Sequence, residues 1–444
     1  VTALPAEVSP ASGERTLGVR EGASPGPTLV VIGGLHANEP AGLEAASRVL
    51  GMIDRGQISL ERGRLVVLRG NLAALAVNAE APWFRPRYID SDLNRLFVSP
   101  RVHPDVVRRD GGIEGAEATE LITRLRELAS SARGPCFVID LHTTSADSPA
   151  FMALEDSLPA RQFATRFPLP KILGMEEELP GLLMDYAGAE LGCISIIVEG
   201  GRHEDPASVD VHEAVILTAL DVTSIGAPGP RCISGAEPHQ VLLRAADGRG
   251  RHVYDVRHRE PVRDESFRAL HSATAFSRVR AGVTLIAVEG SREIQAPETG
   301  LLFMPNCQPN PRVGDDAFFV VRRVGRGWLT LSAWLRKRRA VHAMLPHLLP
   351  GVRRGRAPGE LFIAPEIAAV LRRQILHLLG YRLIRHHPAE RLSPLGRCRA
   401  VLDSIAGVLG GRRHGLCELR DSDWIARRRR LDDPSSDDPR ASAP

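Results

Sequence analysis

Four short apolar runs constrain this chain more than any other feature: Thr28-Leu-Val-Val-Ile32, Leu65-Val-Val-Leu68, Phe137-Val-Ile-Asp-Leu141 and Ile194-Ser-Ile-Ile-Val198. Each stops abruptly at glycine or a polar residue. Strands with so little polar alternation bury both faces, which a parallel sheet does and a half-solvated antiparallel sheet does not. Between them, Ala41–Met52 brings Leu43, Ala46, Val49 and Leu50 to helical spacing after Pro40, and Ala118–Ser130 repeats that periodicity. Strands and helices in alternation predict an α/β fold, a mostly parallel sheet with helices on both faces.

The pattern changes on either side of this half. Residues 1–27 are rich in Pro, Ser and Gly and read as an N-terminal extension to an α/β domain over 28–229. After Ile225-Gly-Ala-Pro-Gly-Pro230, short strand-like pieces at Val279–Val288, Gly300–Met304 and Asp316–Val324 predict a small β domain over 230–326. Arg-rich helical periodicity, as in Pro365–Leu379 and Ala400–Leu409, predicts a helical C-terminal extension over 327–430, and 431–444 reads as a disordered tail.

With 444 residues, 43% of them hydrophobic and 25% charged, the chain has the composition of a globular protein of two or three domains. The net charge of +4 is mild, and the basic runs Arg336–Arg339 and Arg427–Arg430 have no aromatic residues among them, so no nucleic-acid partner is expected. No apolar stretch approaches the roughly 20 residues of a membrane span, and the first residues lack the pattern of a secretory signal, so the expectation is a cytoplasmic protein with no membrane partner. Six scattered cysteines with no CxxC pair argue against a disulfide framework or a thiolate metal site.

Ligands of open α/β sheets gather beyond the carboxyl ends of the strands. His36 and Glu39 follow the first apolar run, His142 the third and Glu199 the fourth. His36 and Glu39 form an HxxE pair that can converge on one metal from a single loop, with His142 as third ligand from a neighbouring strand. Two His and one Glu is a catalytic zinc set that leaves a coordination position open, so one Zn2+ per chain is expected. Glu199 is then a carboxylate free to take a proton from water. In the segment Arg87-Tyr-Ile-Asp-Ser-Asp-Leu-Asn-Arg-Leu-Phe97, Asn94 and Arg95 suit a substrate carboxylate, Arg87 an oxyanion, and Asp92 the second ring N–H of a metal-bound histidine.

GGLHANEPAG, RYIDSDLNRLF, DLHTTS and IVEGG occur in that order, and with them the chain resembles the aspartoacylase and succinylglutamate desuccinylase family, a branch of the zinc carboxypeptidase-like fold. The resemblance implies zinc on His36, Glu39 and His142, Glu199 as general base, Arg87 at the oxyanion, and Asn94 with Arg95 on the carboxylate. APETGLLFMPNCQPNPRVGDDAFFVV resembles that family's smaller β domain, which would cap the cleft. The aspartate-specific branch carries an Arg shortly before its catalytic Glu, whereas Asp185–Val198 contains none, which argues against N-acetylaspartate. That branch also uses a Tyr from its second domain; the role of Tyr254 is left open.

The expectation is therefore a zinc-dependent amidohydrolase, a deacylase acting on a small N-acyl amino acid or related carboxylate. Two alternatives stand beside it: a metallocarboxypeptidase acting on short peptides, and a non-catalytic binding or assembly protein. The oligomeric state, homo-oligomer included, is open. Plainer readings of single residues also exist: Glu199 as a helix cap or partner of Arg202, Arg87 and Arg95 as structural partners of Asp90 and Asp92, and His203-Glu204-Asp205 as an exposed turn. His212, His252, His258 and His271 read as solvated or structural, and Glu289 and Glu293 receive no role.

Overall fold

The computed structural model describes residues 14–80, 86–98, 112–227, 229, 231–348, 352–355, 359–363, 374–385 and 424–428. The chain forms two compact units, one built mainly of residues up to Glu155 together with Ala160–Arg323, the other of Asp156–Pro159 together with Val324–Asp438.

The first unit is built on strands β1 (Thr16–Glu21), β2 (Ser24–Gly33), β3 (Arg62–Arg69), β4 (Cys136–Thr144), β5 (Phe151–Leu154), β6 (Lys171–Leu173), β7 (Ile194–Arg202) and β8 (Val253–Pro261). The short β9 (Arg268–Ala269), β10 (Arg278–Val279), β11 (Leu285–Glu289), β12 (Arg292–Gln295) and β13 (Gly300–Phe303) follow, then β14 (Asp316–Arg323). Eleven of these form one sheet in the order β1-β3-β2-β4-β7-β5-β6-β8-β14-β13-β10. β3, β2, β4 and β7 run parallel at its heart, as do β5, β6 and β8. β5 joins the two groups by pairing antiparallel to β7.

Helices α1 (Ala41–Asp54), α2 (Leu72–Glu80), α3 (Gly112–Ser130), α4 (Leu183–Ala189), α5 (Ala207–Val222) and α6 (Pro238–Ala245) accompany the sheet. On one face, Val30, Ile32, Val66, Leu68 and Val138 meet Leu121, Leu125 and Leu128 of α3 in a continuous apolar cluster. α1 packs on α5 and touches β2 and β4. The apolar runs are therefore buried on both sides, as expected of strands without polar alternation.

Three expectations need revision. The N-terminal extension is partly sheet: β1 pairs antiparallel with β3, and β2 starts at Ser24 rather than Thr28. β1 supplies backbone partners to what would otherwise be a bare edge of the parallel core. The expected small β domain continues the main sheet through β6, β8, β14 and β13, with β9, β11 and β12 forming a separate three-stranded sheet. The C-terminal extension is not purely helical. Beside α7 (Arg326–Arg336), α8 (Arg339–Leu348) and α9 (Gln374–Leu378), strands β15 (Val352–Arg354), β16 (Glu360–Ile363), β17 (Tyr381–Arg385) and β18 (Trp424–Arg428) form an antiparallel sheet in the order β15-β16-β18-β17. Its strands are too short and too Arg-rich to announce themselves by alternation. Ala400–Leu409 and the 431–444 tail lie outside the described residues, as does most of Pro365–Leu379.

The second unit has its own core of Leu345, Val352, Leu361, Ile363, Leu376, Leu379 and Tyr381. Among its described residues it buries Asp156, which accepts from Arg336 Nη2 at 2.9 Å and from Arg382 Nε at 3.0 Å. All three side chains are sealed from solvent.

Candidate metal centre

The centre forms where the strand order reverses direction, with β2 feeding β3 on one side and β4 on the other, the point at which an open α/β sheet leaves a crevice at its carboxyl edge. Gly34 follows β2 with φ of 73°, a conformation that glycine adopts without strain. It turns the chain so that His36 and Glu39 lie beside the end of β4. The register does the rest: His142 on β4 lies opposite Glu199 on β7.

His36 Nδ1 stands 3.0 Å from His142 Nδ1 and 3.1 Å from Glu39 Oε1, and His142 Nδ1 stands 3.0 Å from Glu39 Oε2. All three side chains are buried, and their ligand-type atoms lie within 4.8 Å of one another. The far ring nitrogens face carboxylates: His36 Nε2 is 3.0 Å from Asp92 Oδ1, and His142 Nε2 is 2.8 Å from Asp140 Oδ2. Asp92 holds the proton at His36 Nε2, and Asp140 stands at ion-pair distance from His142 Nε2; with each ring neutral and protonated on Nε2, both Nδ1 lone pairs would point at each other and at a third acceptor. Such a convergence of acceptors calls for a cation, and the donor set of two imidazoles and a carboxylate fits zinc.

The charges respond accordingly. Burial pushes the Glu39 carboxyl upward, but His36 and His142 outweigh it and hold it well below the usual carboxylate range. Burial lowers the His142 imidazole, and Asp140 with Glu39 more than reverses this, raising it well above an ordinary histidine. Asp92, pushed up by burial, is drawn well below its usual range by Arg95, His36 and Arg87. Glu199 differs: burial pushes its carboxyl up to about 8, and its Oε2 has no hydrogen-bond partner among the described residues.

A cleft of about 470 Å³ opens beside the centre, lined by Glu39, Arg87, Arg95 and Glu199 on one side and by Pro305, Asn306 and Val313–Asp316 on the other. Arg87 Nη1 donates to Glu39 Oε1 at 2.8 Å and lies 3.6 Å from Asp92. Arg95 Nη2 donates to Asp316 Oδ2 at 2.7 Å and lies 3.7 Å from Asp92. Asn94 is buried, with its Oδ1 accepting from the Leu183 amide at 2.8 Å. Asp90 instead accepts from the Ile113 amide at the start of α3.

Several site residues escaped the sequence reading. Glu114, fully buried in α3, accepts from the amides of Ile89, Asp90 and Ser91 and from Asn71 Nδ2, and so fixes the Arg87–Arg95 segment. Asp140 was visible one turn of the pleat before His142 but read as part of an apolar run. His203, expected in an exposed turn, lines the cleft with Nδ1 2.7 Å from Thr143 Oγ1. Tyr254 is buried in an apolar cluster with Phe276, Phe303 and Phe319, its hydroxyl 3.1 Å from His252 Nδ1. Among the described residues, Tyr88 is the tyrosine that lines the cleft.

Residues 25–222 match the succinylglutamate desuccinylase/aspartoacylase catalytic domain. No curated protein matches the chain. Among solved structures, a succinylglutamate desuccinylase from Vibrio cholerae is similar at 17% identity with a TM-score of 0.50, covering 69% of this chain and 83% of that one. Another, from Chromobacterium violaceum, is 19% identical with a TM-score of 0.47 and covers 68% of this chain and 86% of its own. A succinylglutamate desuccinylase/aspartoacylase from Rhodobacter sphaeroides is 19% identical with a TM-score of 0.46, covering 69% and 88%.

Proposed function

Since residues 25–222 match the succinylglutamate desuccinylase/aspartoacylase catalytic domain, we propose that this chain is a zinc-dependent amidohydrolase that removes the acyl group from a small N-acyl amino acid or a derivative of one. The observation that carries the proposal is the meeting of His36 Nδ1, Glu39 and His142 Nδ1, with Asp92 and Asp140 behind the two rings. His36, Glu39 and His142 would hold one zinc ion, which supplies Lewis acidity to the attacking water and the scissile carbonyl.

The chain's own groups divide the remaining work. Glu199 carries no ligand duty and has an unpartnered oxygen at the end of β7, which suits it to take a proton from water and return it to the departing nitrogen. Arg87, anchored on Glu39 through one nitrogen, presents its guanidinium to the cleft, where an oxyanion would develop. Asp92 and Asp140 keep the imidazoles oriented. The wall formed by Pro305, Asn306 and Val313–Asp316 limits the cleft and favours small substrates over the tail of a peptide. A complete set of ligands, outer carboxylates and base also disfavours a purely binding role.

Bound zinc in the purified protein and turnover of N-acetyl and N-succinyl amino acids and their amides test the proposal. Glu199→Gln is expected to retain zinc and lose about 10²- to 10⁴-fold in kcat. Equal turnover by the two proteins would overturn the base, and activity confined to peptides would favour the metallocarboxypeptidase.

A further inference from the structure

Both arginines of the cleft already carry carboxylates from the chain. Arg87 is occupied by Glu39 at 2.8 Å and faces Asp92 at 3.6 Å. Arg95 is occupied by Asp316 at 2.7 Å and faces Asp92 at 3.7 Å. Asp316 is itself fixed from the other side, since Oδ1 accepts from Arg259 Nε, and Arg259 is tied to the Gly314 carbonyl at 3.0 Å. It stands at the first position of β14, in register with Pro261 of β8, so its backbone is part of the sheet rather than of a free loop. Asp315 lines the same wall, with its carboxylate accepting from the Arg312 amide at 2.8 Å and lying 3.4 Å from the Tyr88 hydroxyl.

A substrate carboxylate arriving at Arg95 would have to displace a held carboxylate and remain beside Asp92 and Asp315, in a partly buried place where like charges repel strongly. A neutral amide or an ammonium group meets no such penalty, and an ammonium gains from the same acidic wall. Asp92 connects the two regions, touching His36 through one oxygen and facing Arg95 through the other, so a small molecule at the metal centre also reaches Arg95.

We propose that Asp316 is a specificity-determining residue: it fills the guanidinium of Arg95 from within and selects substrates whose group at that end is neutral or positively charged, such as an amide or an amine, over those with a free carboxylate. This rests on the deacylase reading of the same cleft and narrows its substrate class.

The test compares ligands that share an N-acetyl group and differ only at the other end: free acid, primary amide and amine. Their binding to the zinc-loaded Glu199→Gln protein is measured by calorimetry, and their turnover by the unmodified enzyme. The amide and amine are expected to bind about tenfold or more tightly than the free acid, and Asp316→Asn to reduce or reverse that ratio by a similar factor. Asp315→Asn, which lowers the charge of the same wall without freeing Arg95, is expected to shift the ratio in the same direction but by a clearly smaller factor than Asp316→Asn. Tighter binding of the free acid by the Asp316-containing protein, or equal shifts from the two substitutions, would overturn the proposal. Binding with the expected charge preference but no turnover of any member would sink the deacylase reading and leave this one standing.

Discussion

Asp92 is the residue on which most of the site's order depends. Its carboxylate meets His36, faces Arg87 and Arg95, and accepts the Asn94 amide at 2.9 Å. Replacing it with Ala should loosen the His36 ring and weaken zinc binding about 10- to 100-fold, measured by competition with a chelator. Much of this was legible in the sequence, because an aspartate between two arginines and near a metal-type histidine has few other uses. Glu114 and Asp316 were not legible: their significance lies in which distant amides and guanidinium they reach, and residue type carries no such information. A second residue-scale case is Lys171, one of only two lysines in the chain, whose buried Nζ donates to the Phe167 and Gly250 carbonyls at 2.6 and 3.1 Å. Burial lowers its ammonium to about 8. The unfolded chain therefore holds this proton more tightly than the folded one, and stability should rise with pH between about 8 and 10.5, by at most about 1.4 kcal/mol per unit. Urea denaturation at the two ends of that window, against Lys171→Met as the flat reference, measures it.

Among the elements, α1 packs closely on β4 beside the centre. A Cβ at Gly42 would lie 2.7 Å from the Leu141 Cβ, and Leu141 belongs to a strand fixed between β2 and β7. Gly42→Ala gains helix propensity but forces α1 off the sheet. A net loss of about 1–3 kcal/mol is expected, read as a lower urea midpoint. The first turn of α1 follows directly on Glu39, so the same substitution should also weaken metal binding. The parallel strands were legible because burial on both faces leaves an unbroken apolar signature, and the residues after them could be searched for ligands. β1, β9 and β10 were not, because short edge strands need only backbone partners and place little demand on side chains. The strands of the second unit escaped for a similar reason, with Val352-Arg-Arg354 giving no alternation to read.

At the scale of the molecule, the two units divide between them what the sequence made plain and what it concealed. The first has a family signature over 25–222 and a site assembled from several strand ends. The second lies beyond that match, and its organisation came only from coordinates. Among its described residues, Asp156 accepts from Arg336 and Arg382. Asp156→Ala should remove a sealed carboxylate that two buried guanidiniums contact and destabilise that unit by about 3–5 kcal/mol. Proteolysis should then cut first beyond Val324, with the zinc content unchanged.

That aspartate is encoded far upstream of the segment whose fold it completes. A gene fusion carrying only the codons from Val324 onward would transplant both arginines and leave behind a carboxylate they contact. Moved by itself, the extension would lose a contact that this chain supplies from a residue encoded well before it.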